Sequence, residues 1–223
     1  MTMKREPKFT PLDLQTWERR QTFWYFSKMA PTGYSITVEA DVTGLCRDVR
    51  DAGLKFFPAY LWLVTRNLNR QTEFKCAVKD GILGYFDRLT PLYAAFHQDD
   101  KTISLMWTPY SEDFSEFYCS YINNQKKFGS NHGILTQPDT PPPENAYTVS
   151  SVQWINFKHF SVHSYENKAY YFPSVEAGKF EKRGEKIFMP LSLTCHHAVT
   201  DGWHISVFLE DLQRDMNNFK EFI

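Results

Sequence analysis

The segment Leu191-Ser192-Leu193-Thr194-Cys195-His196-His197-Ala198-Val199-Thr200-Asp201-Gly202 decides how this chain is read. Residues 187–196 form the most buried-looking strand pattern in the sequence, broken only by Pro190. That run leads straight into two histidines, an aspartate and a glycine, and residues 203–217 then carry a helical pattern. A strand end opening into a turn is where folds present functional groups. A neutral imidazole at such a place takes a hydroxyl proton as that oxygen attacks a carbonyl. Asp201 is suited to hold the turn by accepting hydrogen bonds from backbone or an arginine, and Gly202 permits the change of direction. Two other readings stay open. Adjacent histidines are also ordinary polar punctuation at a strand end. His197, Asp201 and His204 stand at i, i+4 and i+7, a metal-ligand spacing on a helix; a turn over residues 197–201 breaks that face, so no metal is expected.

Upstream, Asp13 reads as the N-cap of a helix carrying Leu14, Trp17, Phe23 and Phe26, stopped by Pro31-Thr32-Gly33. Residues 35–42 alternate with Ile36, Val38, Ala40 and Val42 on one face, a strand. Thr43 caps a short helix ending at Gly53, and Pro58 opens an apolar helix through Leu68. Residues 83–86, 92–97 and 102–108 read as strands, with Asp80-Gly81 as a turn. Residues 112–128 form an amphipathic helix, and 129–143 a loop. Residues 147–155 form a strand, with 160–163 and 168–172 as further candidates. Helices and strands mix without a βαβ rhythm. The expected fold is therefore α/β, an α+β two-layer sandwich with a mixed β-sheet and helices packed on one side, in one domain over residues 1–223. Within the strand at 147–155, Ser150 and Ser151 interrupt apolar residues, so one of them faces inward. A buried hydroxyl needs a partner, and either neighbouring backbone or a reaction oxyanion supplies one.

Composition narrows the function. The 25 basic and 26 acidic residues nearly cancel and form no basic stripe, which argues against nucleic acid as a partner. Cys46, Cys76, Cys119 and Cys195 form no CxxC pair and read as reduced thiols. The first residues are polar and basic with no signal-peptide core, and no run reaches the length of a membrane span, so the cytoplasm is the expected compartment. Aromatic residues make up 17 % of the chain, a surplus that fits a large core, an aromatic-lined pocket or an oligomer face.

His196-His197-Ala198-Val199-Thr200-Asp201-Gly202 resembles the HHxxxDG signature of chloramphenicol acetyltransferases, a motif also found in dihydrolipoyl acyltransferase cores. Other segments carry the resemblance further: Trp17-Glu18-Arg19-Arg20 with Phe23, Lys55-Phe56-Phe57-Pro58, Leu83-Gly84-Tyr85-Phe86-Asp87, Trp107-Thr108-Pro109-Tyr110, Pro143-Glu144-Asn145, Ser150 to Trp154 with Asn156 and Phe157, and Ala177-Gly178-Lys179-Phe180. It covers nearly the whole chain and is to the classical trimeric type, since no hexapeptide repeat is present.

The resemblance implies direct acetyl transfer from acetyl-CoA to a hydroxyl of chloramphenicol, conferring resistance, with no permanently bound cofactor. It implies His197 as general base, Ser150 as oxyanion donor, and an Asp201–Arg19 pair supporting the histidine loop. It implies Tyr25, Phe26, Thr32, Tyr34, Ile103, Leu105, Thr148, Val162 and Glu176 around the acceptor, and Lys55, Lys179 and Phe180 toward the cofactor. It also implies a homotrimer with active sites between subunits. Several positions depart from the family pattern: Ile103 replaces a phenylalanine, Leu105 a smaller residue, and Glu176 a threonine that relatives place near the reacting atoms. Glu176 either repels an oxyanion, binds a cationic acceptor, or turns outward. These departures keep a different hydroxylated acceptor, or ligand binding without turnover, as alternatives. A dihydrolipoyl acyltransferase core would be preceded by lipoyl and subunit-binding domains, for which this chain has no room.

Overall fold

The computed structural model describes residues 6–137, 140–163 and 170–223. The chain opens with β1 (Phe9–Pro11) and α1 (Arg20–Trp24), which continues as a π-helical turn over Tyr25–Met29. β2 (Gly33–Asp41) leads into α2 (Thr43–Asp51) and α3 (Phe56–Asn69). β3 (Cys76–Lys79) and β4 (Ile82–Phe86) form a hairpin whose turn, Asp80-Gly81, takes positive φ at both residues, 51° and 78°. That conformation matches the twist of the flanking strands. β5 (Thr90–Phe96), β6 (Ile103–Trp107), α4 (Phe114–Phe128), β7 (Ala146–Val152), β8 (Ser174–Gly178), β9 (Glu181–Arg183), β10 (Lys186–His196) and α5 (Gly202–Asn217) follow.

The large sheet has the order β2-β10-β8-β7-β5-β6, with β9 also on β10, while β1-β4-β3 form a small second sheet. β5, β7 and β8 pair in parallel and the other ladders are antiparallel, so the sheet is mixed as expected. Pro190 is tolerated in the central strand for a local reason. It falls between the stretch of β10 paired with β9 and the stretch paired with β8, so its missing N–H costs no hydrogen bond on that side. The expected face of β2 is the inner one. Ile36, Val38 and Ala40 join Leu191, Leu193, Val175, Ala177 and Val149 in one core with Leu45, Leu61, Phe117, Phe208 and Leu212 from the helices.

The opposite face is polar and nevertheless largely covered. Ser35 and Thr194 hydroxyls meet at 2.9 Å, Thr37 and Ser192 at 3.0 Å, and Thr148 Oγ1 donates to Ser174 Oγ at 3.0 Å. Ser192 Oγ also donates to the Phe160 carbonyl at 2.5 Å, and Thr37 lies 3.4 Å from His159 Nδ1. The segment that reads as a strand at 160–163 is thus a covering loop. The Phe160 carbonyl serves the Ser192 hydroxyl beneath it, and the segment has no place in a ladder. The other candidate, 168–172, is no strand at 170–172, and its first two residues lie outside the described ones.

Two further expectations change. Asp13 caps a tight turn, accepting from Gln15 N at 2.9 Å and Thr16 Oγ1 at 3.0 Å, and the helix begins only at Arg20. Leu12 N bonds the Leu83 carbonyl at 3.0 Å and Trp17 packs on the cluster of Cys76, Leu83, Tyr171, Ala198 and Val199, so this stretch follows the small sheet. Thr43 is the first residue of α2; Asp41 Oδ1 accepts from its N–H and hydroxyl, and Thr43 Oγ1 accepts from Ile187 N. Among the described residues no helix is long and apolar enough to cross a membrane.

Gly84 lies opposite Pro11 in the β1–β4 ladder, and a Cβ there would overlap Phe9 and the Thr10 carbonyl. Replacing Gly84 by Ala is expected to loosen β1 and lower stability by about 1–3 kcal/mol, an overpacking effect. Urea denaturation checks this, and an unchanged midpoint would show that β1 shifts freely.

Candidate active site

His197 occupies the turn between β10 and α5. Its N–H donates to the Thr32 carbonyl at 2.9 Å, so the start of β2 pins the backbone of His197. Its Nδ1 lies 3.0 Å from the Thr200 carbonyl oxygen, which only accepts. Nδ1 therefore carries the hydrogen of a neutral ring, and Nε2 keeps the lone pair. Phe26 stacks on the imidazole at 4.0 Å between centroids and Tyr34 packs tilted at 5.0 Å. Tyr34 also donates to Thr200 Oγ1 at 3.3 Å. The π-helical turn Tyr25–Met29 brings Phe26 over the ring and leaves its edge-on neighbour Tyr25 half exposed. His196 does different work. Its Nδ1 accepts from Ala198 N at 3.1 Å and its ring meets Tyr171 edge-on. Burial first, and the charge of His197 second, push its pKa down.

Arg19 Nη1 meets Asp201 Oδ2 at 2.8 Å, joining the N-terminal segment to the histidine turn. Asp201 is also the N-cap of α5: Oδ1 accepts from Trp203 N at 3.1 Å, and His204 completes a capping box with Asp201 N. Burial alone would raise the Asp201 carboxyl, but the Arg19 hydrogen bond and the nearby His204 and Arg19 charges hold it below its ordinary value. The helix begins after Asp201, so His197, Asp201 and His204 do not share a helical face. The donors that do converge are His97, Asp99 and His132, within 4.8 Å of one another beyond the β5–β6 hairpin, two of them exposed.

Ser150 stands elsewhere. It lines a cavity of about 790 Å³ with Ile103, Phe96, Trp154, Tyr60, Lys179 and Phe180. Lys55, N-cap of α3, is exposed beside Phe56, whose ring meets Phe180 at 4.8 Å. Trp154 and Phe96 pack at 4.7 Å; the sequence does not show that they meet, because Phe96 ends β5 and Trp154 lies in the turn after β7. Leu105 pairs its backbone with the loop near Leu135, and Val162 is half exposed; neither lines this cavity. Thr32 Oγ1 donates to the Ala30 carbonyl at 2.6 Å. A second, shallower hollow of about 740 Å³ runs along Leu14, Phe23, Trp24 and Tyr25.

Register separates the two groups. Ser150 lies opposite Glu176, and Glu176 opposite Ser192. His197 follows five residues after Ser192, roughly 16 Å along the sheet and two strand spacings across. One protomer therefore does not bring His197 and Ser150 to a common carbonyl.

Glu176 is fully buried, which rules out the outward-turned reading. Ser174 Oγ donates to its Oε1, and Oε2 has no partner among the described residues. Burial pushes its pKa from 4.5 up to about 7, against the lowering effect of Ser174.

These features define a class. A solved chloramphenicol acetyltransferase superimposes with a TM-score of 0.84 at 23 % identity, over 93 % of this chain and 99 % of that one. The cubic core of the pyruvate dehydrogenase multienzyme complex superimposes with a TM-score of 0.63 at 17 % identity, over 91 % and 88 %. The fold is that of the acyltransferase cores. The family model described as chloramphenicol acetyltransferase matches residues 7–213. The chloramphenicol acetyltransferase of Staphylococcus aureus is 40 % identical over 206 residues, 92 % of this chain and 94 % of that protein. One from Clostridium perfringens is 35 % identical over 217 residues, 97 % and 98 %. The chain belongs to the chloramphenicol acetyltransferase family.

Two outcomes follow from this geometry. Asp201→Ala should lower stability by about 1–2 kcal/mol, as loss of an N-cap does, and reduce turnover with it; lost activity at unaltered thermal stability would refute the scaffold role. Folded Glu176 holds its proton more tightly than the unfolded chain does. Its contribution is therefore full below about pH 4.5 and is lost as pH rises through about 7. Glu176→Gln should gain in melting temperature over the wild type across that interval, and a constant difference from pH 4.5 to 8 would contradict the burial argument.

Proposed function

We propose that the protein transfers the acetyl group of acetyl-CoA to a primary hydroxyl of chloramphenicol, conferring resistance to the drug. The observation that carries this reading is the fixed tautomer of His197, with Nδ1 spent on Thr200 and Nε2 left as a base. In the proposed step Nε2 takes the hydroxyl proton while the oxygen attacks the thioester carbonyl. The carbonyl oxygen becomes an oxyanion, to which the Ser150 hydroxyl donates. Collapse expels CoA as thiolate, which takes the proton back from the imidazolium. No acyl-enzyme forms.

The separation of His197 from Ser150 supports an active site made between two copies, in a homotrimer. Exposed Trp24, Tyr25, Met29 and Trp203 offer apolar surface for such contacts. In that assembly Phe26, Thr32 and Tyr34 accompany the base, while Ile103, Leu105, Thr148, Val162 and Glu176 come from the copy bearing Ser150. The cavity beside Ser150 suits the pantetheine arm. The ammonium groups of Lys55 and Lys179 meet the CoA phosphates, and Phe180 lends an apolar ring. The reading also includes one domain and a cytoplasmic location, which the four free cysteines suit. Buried Glu176 and the isoleucine at 103 favour, as a second reading, another hydroxylated acceptor for the same chemistry.

CoA release followed with a thiol reagent tests this. Release should require both chloramphenicol and His197, vanish in His197→Ala, and fall about 10²-fold in Ser150→Ala. Mixed assemblies of the two variants should recover about a quarter of wild-type turnover, as random pairing across a cyclic interface gives. No recovery on mixing would place both residues in one subunit's site.

A further inference from the structure

The sheet places two unpaired groups side by side. Ser150 of β7 is directly opposite Glu176 of β8 in a parallel ladder, so both side chains leave the same face about 4.8 Å apart at the backbone. Among the described residues the Ser150 hydroxyl makes no hydrogen bond, and Glu176 Oε2 makes none. Glu176 Oε1 is occupied by Ser174, which is itself held by Thr148. That chain leaves Oε2 as the free oxygen.

We propose that Glu176 is a positioning residue for acetyl transfer: as a neutral carboxylic acid it leaves the Ser150 hydroxyl free for the oxyanion, and on ionisation it captures that hydroxyl. A buried carboxylate with an empty oxygen recruits the nearest donor, because charge-assisted hydrogen bonds are about twice as strong as neutral ones. The Ser150 hydrogen then points at Oε2 and not at the thioester oxygen. The new negative charge also lies one strand from where the oxyanion forms, in a buried setting where repulsion is poorly screened. Both effects act in the same direction. No covalent step is added; one proton leaves Glu176 to solvent and the transfer chemistry is otherwise unchanged.

Among the described residues no group stands to compensate this charge. From α3 the neighbour is Tyr60, and from β10 Cys195, both pushed up by burial and so neutral across the working range. Ser150 on β7 and Ser192 on β10 do not titrate. On the covering segment Lys158 acts on Glu39 and Glu181 instead, and His159 meets Thr37. Tyr170 donates to the Ala146 carbonyl and Tyr171 packs on His196. Burial sets the ionisation of Glu176 near neutrality, so the switch falls within reach of ordinary buffers.

This inference rests on the proposed acetyl transfer, and its test separates the two. The measurement is kcat/KM for chloramphenicol against pH from about 5 to 9 at saturating acetyl-CoA, an interval that brackets the ionisation of Glu176. The wild type should fall by about tenfold or more as Glu176 ionises, a falling limb on the alkaline side. Glu176→Gln should lose that falling limb. Glu176→Thr should do the same, and serves if the Gln variant does not fold. A falling limb that persists in both variants, or no falling limb in the wild type, overturns the role of Glu176. If the wild type releases no CoA with chloramphenicol at any pH, the acceptor assignment fails. The same series is then read on acetyl-CoA hydrolysis, which builds the same oxyanion with water as nucleophile. There a falling limb abolished by Glu176→Gln still supports the switch, and an unaltered profile still overturns it.

Discussion

The antiparallel ladder between β10 and β2 runs from Phe188 opposite Asp41 to His196 opposite Gly33. It fixes the longest strand of the sheet and places its end beside the start of β2. There the Thr32 carbonyl takes the His197 N–H, so the ladder hands over directly to the turn that holds His197. Everything chemical on this side of the molecule hangs from that junction. Phe26 and Tyr34 reach the imidazole because they flank the same strand start. Asp201 reaches Arg19 because the turn closes within a few residues and becomes the N-cap of α5. The pair is partly exposed, so its worth lies in fixing a geometry more than in Coulomb energy.

A second constraint follows from the sheet having two unlike faces. The inner face is packed with aliphatic and aromatic side chains against the helices, and burial there supplies most of the stabilisation. The outer face is a band of hydroxyls around the buried carboxyl of Glu176, with Ser192 also fully buried. Buried polar groups are tolerated when they satisfy one another. Ser35 with Thr194, Thr37 with Ser192, and Thr148 with Ser174 do so across neighbouring strands. Glu176 is the exception, with one oxygen served and one not. An imperfectly satisfied group at the centre of an otherwise closed network is where a fold keeps chemistry in reserve.

The distribution of the site over the sheet has a simple origin. β10 and β7 are not neighbours; β8 lies between them. A residue past the end of β10 and a residue in the middle of β7 are separated by both strand length and strand spacing. Side chains of histidine and serine do not bridge that gap, whatever their rotamers. His197 and Ser150 thus serve different surfaces of the protomer, and Trp24 and Trp203 stand exposed on it.

Much of this was legible in the chain itself. The strand before His196, the inner face of β2, the turn at Asp80-Gly81 and the helices α3, α4 and α5 are local patterns, and local patterns survive folding when burial agrees with them. The HHxxxDG stretch pointed to His197 and Asp201 as a candidate base and its support, because the two stand only four residues apart in sequence. Other features had no local signal. β8 carries Ser, Glu and Gly in five buried residues, and its strand character comes only from the neighbours on either side. Asp13 and residues 160–163 have helix and strand signatures that tertiary hydrogen bonds override. The partner of Asp201, the tautomer of His197, and the burial of Glu176 opposite Ser150 depend on groups far apart in sequence and close in space. The sequence by itself determined the family pattern and singled out His197, Ser150 and Asp201 as candidates. The tertiary structure decided which way each one faces and whether its charge survives, since register and desolvation exist only once the strands have paired.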